Sequence, residues 1–266
     1  MEPGWARTRR GRSASLRRYA GAVLLVGLGA GTVPIFATTV VVIWTHDRIV
    51  VAADSLRAVI TRNGARGPDS HVCKIGLRNG FVFAGTGNYG SQLMGYDVFD
   101  LMAESASRAS SLDDMMARST AKIMPAMRRA LRQIQQWKPG YVRKEHDHLG
   151  FQFAAGVMRS DGQAIIARRS ISVSASGGVS ADIVSKAAPN PDQIASLIMG
   201  VTDALPEVKN DYPIRLAMSE GVPAETIATQ LIEREVRACP DLVGPPIAIL
   251  AVDKNGPRWI ENGVCQ

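Results

Sequence analysis

The order of local patterns constrains this chain more than any other feature in it. From Thr38 onward the blocks run strands, two helices, strands, two helices, strands. TTVVVIW and RIVVAADS are β-branched runs separated by the turn-like THD, and they read as a hairpin. HVCKIGL and NGFVFAGTG make a second pair, with Asn79-Gly80 as its turn. The pattern is helical from Tyr89 to about Arg108. A second helix is expected from about Asp113 to Gln136, opened by Ser111 and ended ahead of Pro139-Gly140. Met116, Ile123, Met127, Leu131 and Ile134 recur in it at helical spacing, as a core-facing stripe does. LGFQFAAGVM, AIIARR and SISVSAS form a second β block. Pro189 to about Ala204 and Ala224 to about Ala238 read as two more helices, and PPIAILAVD with PRWIE as a closing hairpin around Asn255-Gly256. Two packed sheets, each covered by a helical layer, satisfy this order: an α+β, four-layer αββα sandwich forming one domain over 38–266.

Residues 1–37 have a different character. Six arginines precede the apolar run YAGAVLLVGLGAGTVPIF, and Ala37 follows with Ile35 two residues before it. A basic n-region, an apolar h-region and a small residue at the cut make an export signal cleaved after Ala37. An uncleaved anchor over residues 19–37 is the alternative, although four glycines and Pro34 weaken a membrane span. The charge supports the separation. Of 31 Lys+Arg, six lie in the leader, and of 24 Asp+Glu, one; the body keeps 25 and 23 and a net charge of only +2. The basic pI therefore belongs to the leader, and no nucleic-acid partner is expected for the body.

The chain has three cysteines. Outside the cytoplasm Cys239 and Cys265 are available to pair and fasten the C-terminal tail to the end of a helix, with Cys73 left over and buried. No Cys/His spacing suggests zinc. His146-Asp147-His148 reads as a solvated loop, and Arg128, Arg129 and Arg132 as a solvated helix face. Gly85, Gly87 and Gly90 fall at G-x-G-x-x-G spacing, but no ribose-binding acid follows about 20 residues on. No cofactor or metal is expected.

Chemistry concentrates at the start of the body. If the chain is cut after Ala37, Thr38 acquires a free α-amine beside its hydroxyl, a nucleophile with its own base. An α-amine titrates near neutrality, and a nearby lysine ammonium favours its neutral form while helping the hydroxyl ionise. Asp54 can hold such a lysine through a charge-assisted contact, and Lys74 is the lysine on the next strand.

TTVVVIWTHDRIVVAADS resembles the opening of proteasome β-subunits, N-terminal nucleophile hydrolases that begin with threonine, form a hairpin and reach an Ala-Ala-Asp motif. Asp54 stands 16 residues after Thr38, the family's spacing. Lys74-Ile75 and FVFAGTG resemble its lysine strand and Ala-Gly turn, with a connection a few residues shorter. The resemblance runs over 38–262 and is closest up to about Gly90. It implies the same αββα fold, Thr38 as nucleophile, Asp54 and Lys74 as its charge partners, and the Gly85 amide as oxyanion donor. Ser176 in SASGG resembles the serine that bonds the N-terminal amine, and Asp241 the aspartate supporting it. Gly244 stands where a second serine is expected, and the segment Ala187 to Val222 is longer than the family pattern. The resemblance also places Phe83 and Gly87 near the substrate pocket and implies a homo-oligomer. The expected function is hydrolysis of peptide or amide bonds through an acyl-enzyme on Thr38. A catalytically silent proteasome-like subunit or binding module is the alternative.

Overall fold

The computed structural model describes residues 38–57, 70–87, 90–91, 95–200, 205 and 212–265. The leader, with its expected cleavage or anchoring, lies outside the described residues.

The opening hairpin is β1 (Thr39–Trp44) and β2 (Arg48–Ala53), beyond which β3 (Leu56–Arg57) and β4 (Ser70–His71) pair briefly. The second hairpin, β5 (Ile75–Arg78) and β6 (Phe81–Gly87), is followed by β7 (Gly90–Ser91) paired with β8 (Tyr96–Asp97). Then come α1 (Val98–Ser107), α2 (Leu112–Trp137) and the single turn α3 (Tyr141–Glu145). α2 starts where the Ser111 side chain caps it, accepting from the Asp114 amide at 3.1 Å. β9 (Phe151–Met158) and β10 (Ala164–Val173) follow, and β11 (Val179–Ala181) and β12 (Ser185–Ala187) both pair with β10. β13 (Ala195–Gly200), α4 (Tyr212–Ser219), α5 (Ala224–Ala238), β14 (Ala248–Asp253) and β15 (Gly256–Glu261) complete the order.

Two antiparallel sheets result, one ordered β13-β1-β2-β14-β15 and the other β11-β10-β9-β6-β5. Every residue of β1 is buried, and period-2 alternation explains why. Val41 and Ile43 join Val50, Ala52 and Ile249 under Ile227, Leu231 and Ile232 of α5. Val40 and Val42 turn the other way with Val51 and Leu250, and meet Val82, Ala84, Ala154 and Ile166 of the second sheet. That sheet's opposite face presents Phe81, Phe83, Phe151 and Phe153 to Met102, Met115, Ile123 and Met127 of α1 and α2. Three apolar layers thus separate helix, sheet, sheet and helices, which makes the four-layer αββα sandwich.

Four local expectations need correction. The helix expected from Tyr89 begins only at Val98, and the strand pair β7–β8 precedes it. The segment expected as a helix from Pro189 to Ala204 contains β13 instead. Leu197 and Met199 enter the core between the sheets and Ile198 the side toward α5, a period of two that completes the edge beside β1. HVCKIGL is not one strand: residues 72–74 lie between β4 and β5, so Lys74 precedes its strand. The disulfide joins Cys73 to Cys265 and leaves out Cys239. Cys265 is buried between the sheets, where Cys73 packs, whereas Cys239 caps α5 in an outer layer.

Candidate active site

The hairpin β1–β2 places residue 38 and residue 54 at the same end of one sheet. Val40 pairs with Ala53, so Thr39 and Asp54 stand opposite one another just beyond the ladder. They bond twice: the Thr39 amide donates to Asp54 Oδ1 at 2.9 Å, and the Asp54 amide to the Thr39 carbonyl at 3.3 Å. Asp54 Oδ2 accepts from the Leu56 amide at 3.1 Å and from the Gly244 amide at 3.3 Å. Every group around this carboxylate is a donor.

Lys74 completes the arrangement. Its Nζ donates to Thr38 Oγ1 at 2.7 Å, to Asp54 Oδ2 at 3.0 Å and to the Leu56 carbonyl. Three oxygens around one nitrogen match the three hydrogens of an ammonium. Thr38, Asp54 and Lys74 are each 1% exposed. Burial pulls the Lys74 ammonium down to about 8, with the Asp54 charge resisting and the Arg57 charge adding to the fall. Burial also pushes the Asp54 carboxyl above its usual range, against the pull of Lys74 and of the Thr39 and Gly244 amides. An ion pair this deep is held at a desolvation cost.

The backbone of Thr38 is held as firmly as its side chain. Thr86 Oγ1 donates to the Thr38 carbonyl at 3.1 Å, and Thr86 is itself buried. On the other side Gly200 comes so close that a β-carbon there would lie 1.6 Å from the Thr38 carbonyl oxygen. Gly200 also has φ of +97°, so both its space and its conformation exclude a side chain.

The other expected residues are distributed as follows. Gly85 precedes Thr86 on β6, where a β-carbon would meet the Phe151 ring at 2.5 Å. Gly87 ends that strand with φ of +107° and would place a β-carbon 2.4 Å from the Gly150 carbonyl. The Phe83 side chain lies on the helical side of the sheet, its ring 6.4 Å from that of Phe99 and filling the space over Gly76. Thr86, three residues on, points to the opposite face. Ser176 is exposed in the turn between β10 and β11, its hydroxyl 2.9 Å from Ser174 Oγ. Asp241 is exposed at the head of the segment that carries Gly244 to Asp54.

The structure therefore brings Thr38, Asp54 and Lys74 into one hydrogen-bonded cluster and leaves Ser176 and Asp241 at the surface. Thr86, Gly200 and the Leu56 carbonyl are structural contributors that the sequence reading missed. The only trace of Thr86 in the sequence is its place in FAGTG. Gly244 is also reinterpreted: its amide serves Asp54, and a β-carbon at this position would press on Leu56 Cβ at 3.2 Å.

No protein-family model matches the chain, and no curated protein matches it. Among solved structures it is similar to Anbu from Hyphomicrobium sp. strain MC1, at 14% identity over 84% of this chain and 85% of that one, with a TM-score of 0.41. It is also similar to Anbu, described as an ancestral β-subunit, from Yersinia bercovieri, at 12% identity over 84% and 86% of the two chains, with a TM-score of 0.45.

Proposed function

We propose that this chain is a proteasome-type threonine hydrolase that cleaves peptide or amide bonds through an acyl-enzyme on Thr38. The observation that carries the reading is the Lys74 ammonium, buried between Thr38 Oγ1 at 2.7 Å and Asp54 Oδ2 at 3.0 Å. An ammonium there stabilises the threonine alkoxide and discourages a second positive charge on a neighbouring α-amine.

The proposed reaction follows from these groups. Removal of the leader after Ala37 converts the Thr38 amide nitrogen into an amine. That amine takes the hydroxyl proton as Oγ1 attacks the substrate carbonyl, with the Gly85 N–H as oxyanion donor. The amine then passes its proton to the leaving nitrogen, and water releases the acyl group from Oγ1. Export beyond the cytoplasm belongs to the same proposal, and the Cys73–Cys265 disulfide supports it, since such bonds persist in oxidising compartments. A homo-oligomer is the assembly proposed.

The exposed position of Ser176 favours a second reading, a proteasome-like subunit that binds without cleaving. One experiment separates the two. Intact mass and N-terminal sequencing of the protein from its host are paired with hydrolysis assays of wild type and Thr38→Ala. A chain beginning at Thr38, with activity lost in the variant, is expected. A retained leader, or unchanged hydrolysis by Thr38→Ala, overturns the hydrolase.

A further inference from the structure

We propose that the Cys73–Cys265 disulfide is a redox latch that holds Lys74 in the site, so that hydrolysis by Thr38 depends on the bond staying oxidised. The inference rests on the threonine-hydrolase reading above.

Cys73 is the residue immediately before Lys74, in the irregular stretch between β4 and β5. No ladder of strand hydrogen bonds fixes the backbone at 72–74. Ahead of the lysine, the Val72 amide bonds to the Ser55 carbonyl at 2.9 Å. The next hold is covalent, from Cys73 to a cysteine 192 residues away. That partner lies in a tail that is also without a strand. Cys265 closes a turn by donating its amide to the Asn262 carbonyl at 2.8 Å, and Gly263 passes close to the Ile247 carbonyl.

Cys265 is buried in the core between the sheets and Cys73 packs against that core, which also holds Ile75, Val82, Ala84 and Ala248. Ile75 is the residue after Lys74, and Ala248 pairs with Ala53, the residue before Asp54. The tail therefore plugs the core at the end where both charged residues of the site begin. Lys74 makes its contacts at 2.7 and 3.0 Å, so a backbone shift of about 1 Å removes them.

Cys73 is half-buried and Cys265 fully buried, which makes Cys73 Sγ the proposed point of attack. A dithiol reductant attacks Cys73 Sγ, the S–S bond breaks, and its electron pair leaves on Cys265 Sγ, which takes up a proton. The second thiol of the reductant then resolves the mixed disulfide. The net result is two protein thiols and one oxidised dithiol, a two-electron exchange. In a reducing compartment the chain would thus hold its nucleophile without a seated lysine.

The test compares the oxidised protein with protein reduced by dithiothreitol and alkylated. Two quantities are read: the labelling rate of Thr38 by a peptide vinyl sulfone, and amide hydrogen exchange along the chain. Reduction is expected to slow labelling at least tenfold and to raise exchange at 72–76 and 262–265 alone. Reoxidation of unalkylated protein restores both. Cys73→Ala combined with Cys265→Ala is expected to label slowly with or without dithiothreitol, while Cys239→Ser keeps the full response. Unchanged labelling after reduction overturns the latch. Exchange raised equally across β1, β9 and α2 also overturns it, because the bond is then a staple of the whole fold. Oxidised Thr38→Ala labelled at the wild-type rate defeats the hydrolase reading itself, a result distinct from either.

Discussion

Lys74 Nζ reaches Thr38 Oγ1 at 2.7 Å from a position with no solvent contact, and its remaining hydrogens are directed to Asp54 and the Leu56 carbonyl. Thr38 and Lys74 thus share one hydrogen bond, and both are buried.

Replacing Lys74 with Met removes that donor and leaves Asp54 buried without a counter-charge. Hydrolysis is expected to fall about 10²–10⁴-fold, the range for loss of a group assisting proton transfer. Stability is expected to fall by about 3–5 kcal/mol, as for a buried pair broken from one side. Adding Asp54→Asn to Lys74→Met is expected to recover part of the stability and none of the rate. Urea unfolding and initial rates on wild type, both single variants and the double variant check this; a rate that returns with the stability contradicts it.

The pH dependence has opposite signs for rate and stability. Lys74 is lowered from 10.5 to about 8 by burial. If the ammonium is the working form, kcat declines as pH rises through about 8. Between that value and 10.5 the unfolded chain holds the proton that the folded chain has released. Stability from this group therefore rises with pH in that window, and below it both states are protonated and the contribution is flat. Rate profiles and denaturant melts at pH 7 and pH 9.5 show whether the two trends diverge.

Thr86→Val keeps the shape of the side chain and deletes the donor to the Thr38 carbonyl. The carbonyl is then buried with one partner fewer, at a cost of about 1–3 kcal/mol. Activity is expected to drop about tenfold in kcat with KM unchanged, since the hydroxyl bonds the backbone of Thr38. Thr86→Ser is expected to restore the rate. Equal rates for valine and serine variants would show that this bond does not position the nucleophile.

Gly200→Ala is the severest change expected outside the charged cluster. Its β-carbon would fall on the Thr38 carbonyl, and the φ of +97° strains any side chain. A loss of at least about 2 kcal/mol is expected from conformation and collision together. Thermal melts of this variant beside Gly162→Ala, whose β-carbon would meet nothing within 4 Å, isolate the collision, because both glycines have positive φ.

Much of this architecture was legible in the sequence because short-range patterns encode it. The runs from Thr39 to Ala53 are β-branched enough to fix a hairpin, and the spacing from Thr38 to Asp54 follows once that hairpin closes. Ser111 and the periodic apolar residues after it defined α2 for the same reason. What was not legible depends on contacts between distant segments. ASLIMG has residues compatible with helix or strand, and the open edge of β1 decides the matter. The pairing of Cys265 depends on where the tail crosses the first sheet, which no spacing reveals. Thr86 meets Thr38 from the facing sheet and Gly200 from the neighbouring strand β13, so each appears in the sequence as an ordinary strand residue.

The double bond between Thr39 and Asp54 has one more implication. Side chains alternate along β1, so a slip of one residue against β2 would turn Thr38 to the other face and separate it from Lys74. On the proposed hydrolase reading, a copy with these strands misaligned would be chemically silent, so the register that completes the sheet would also be what arms the site.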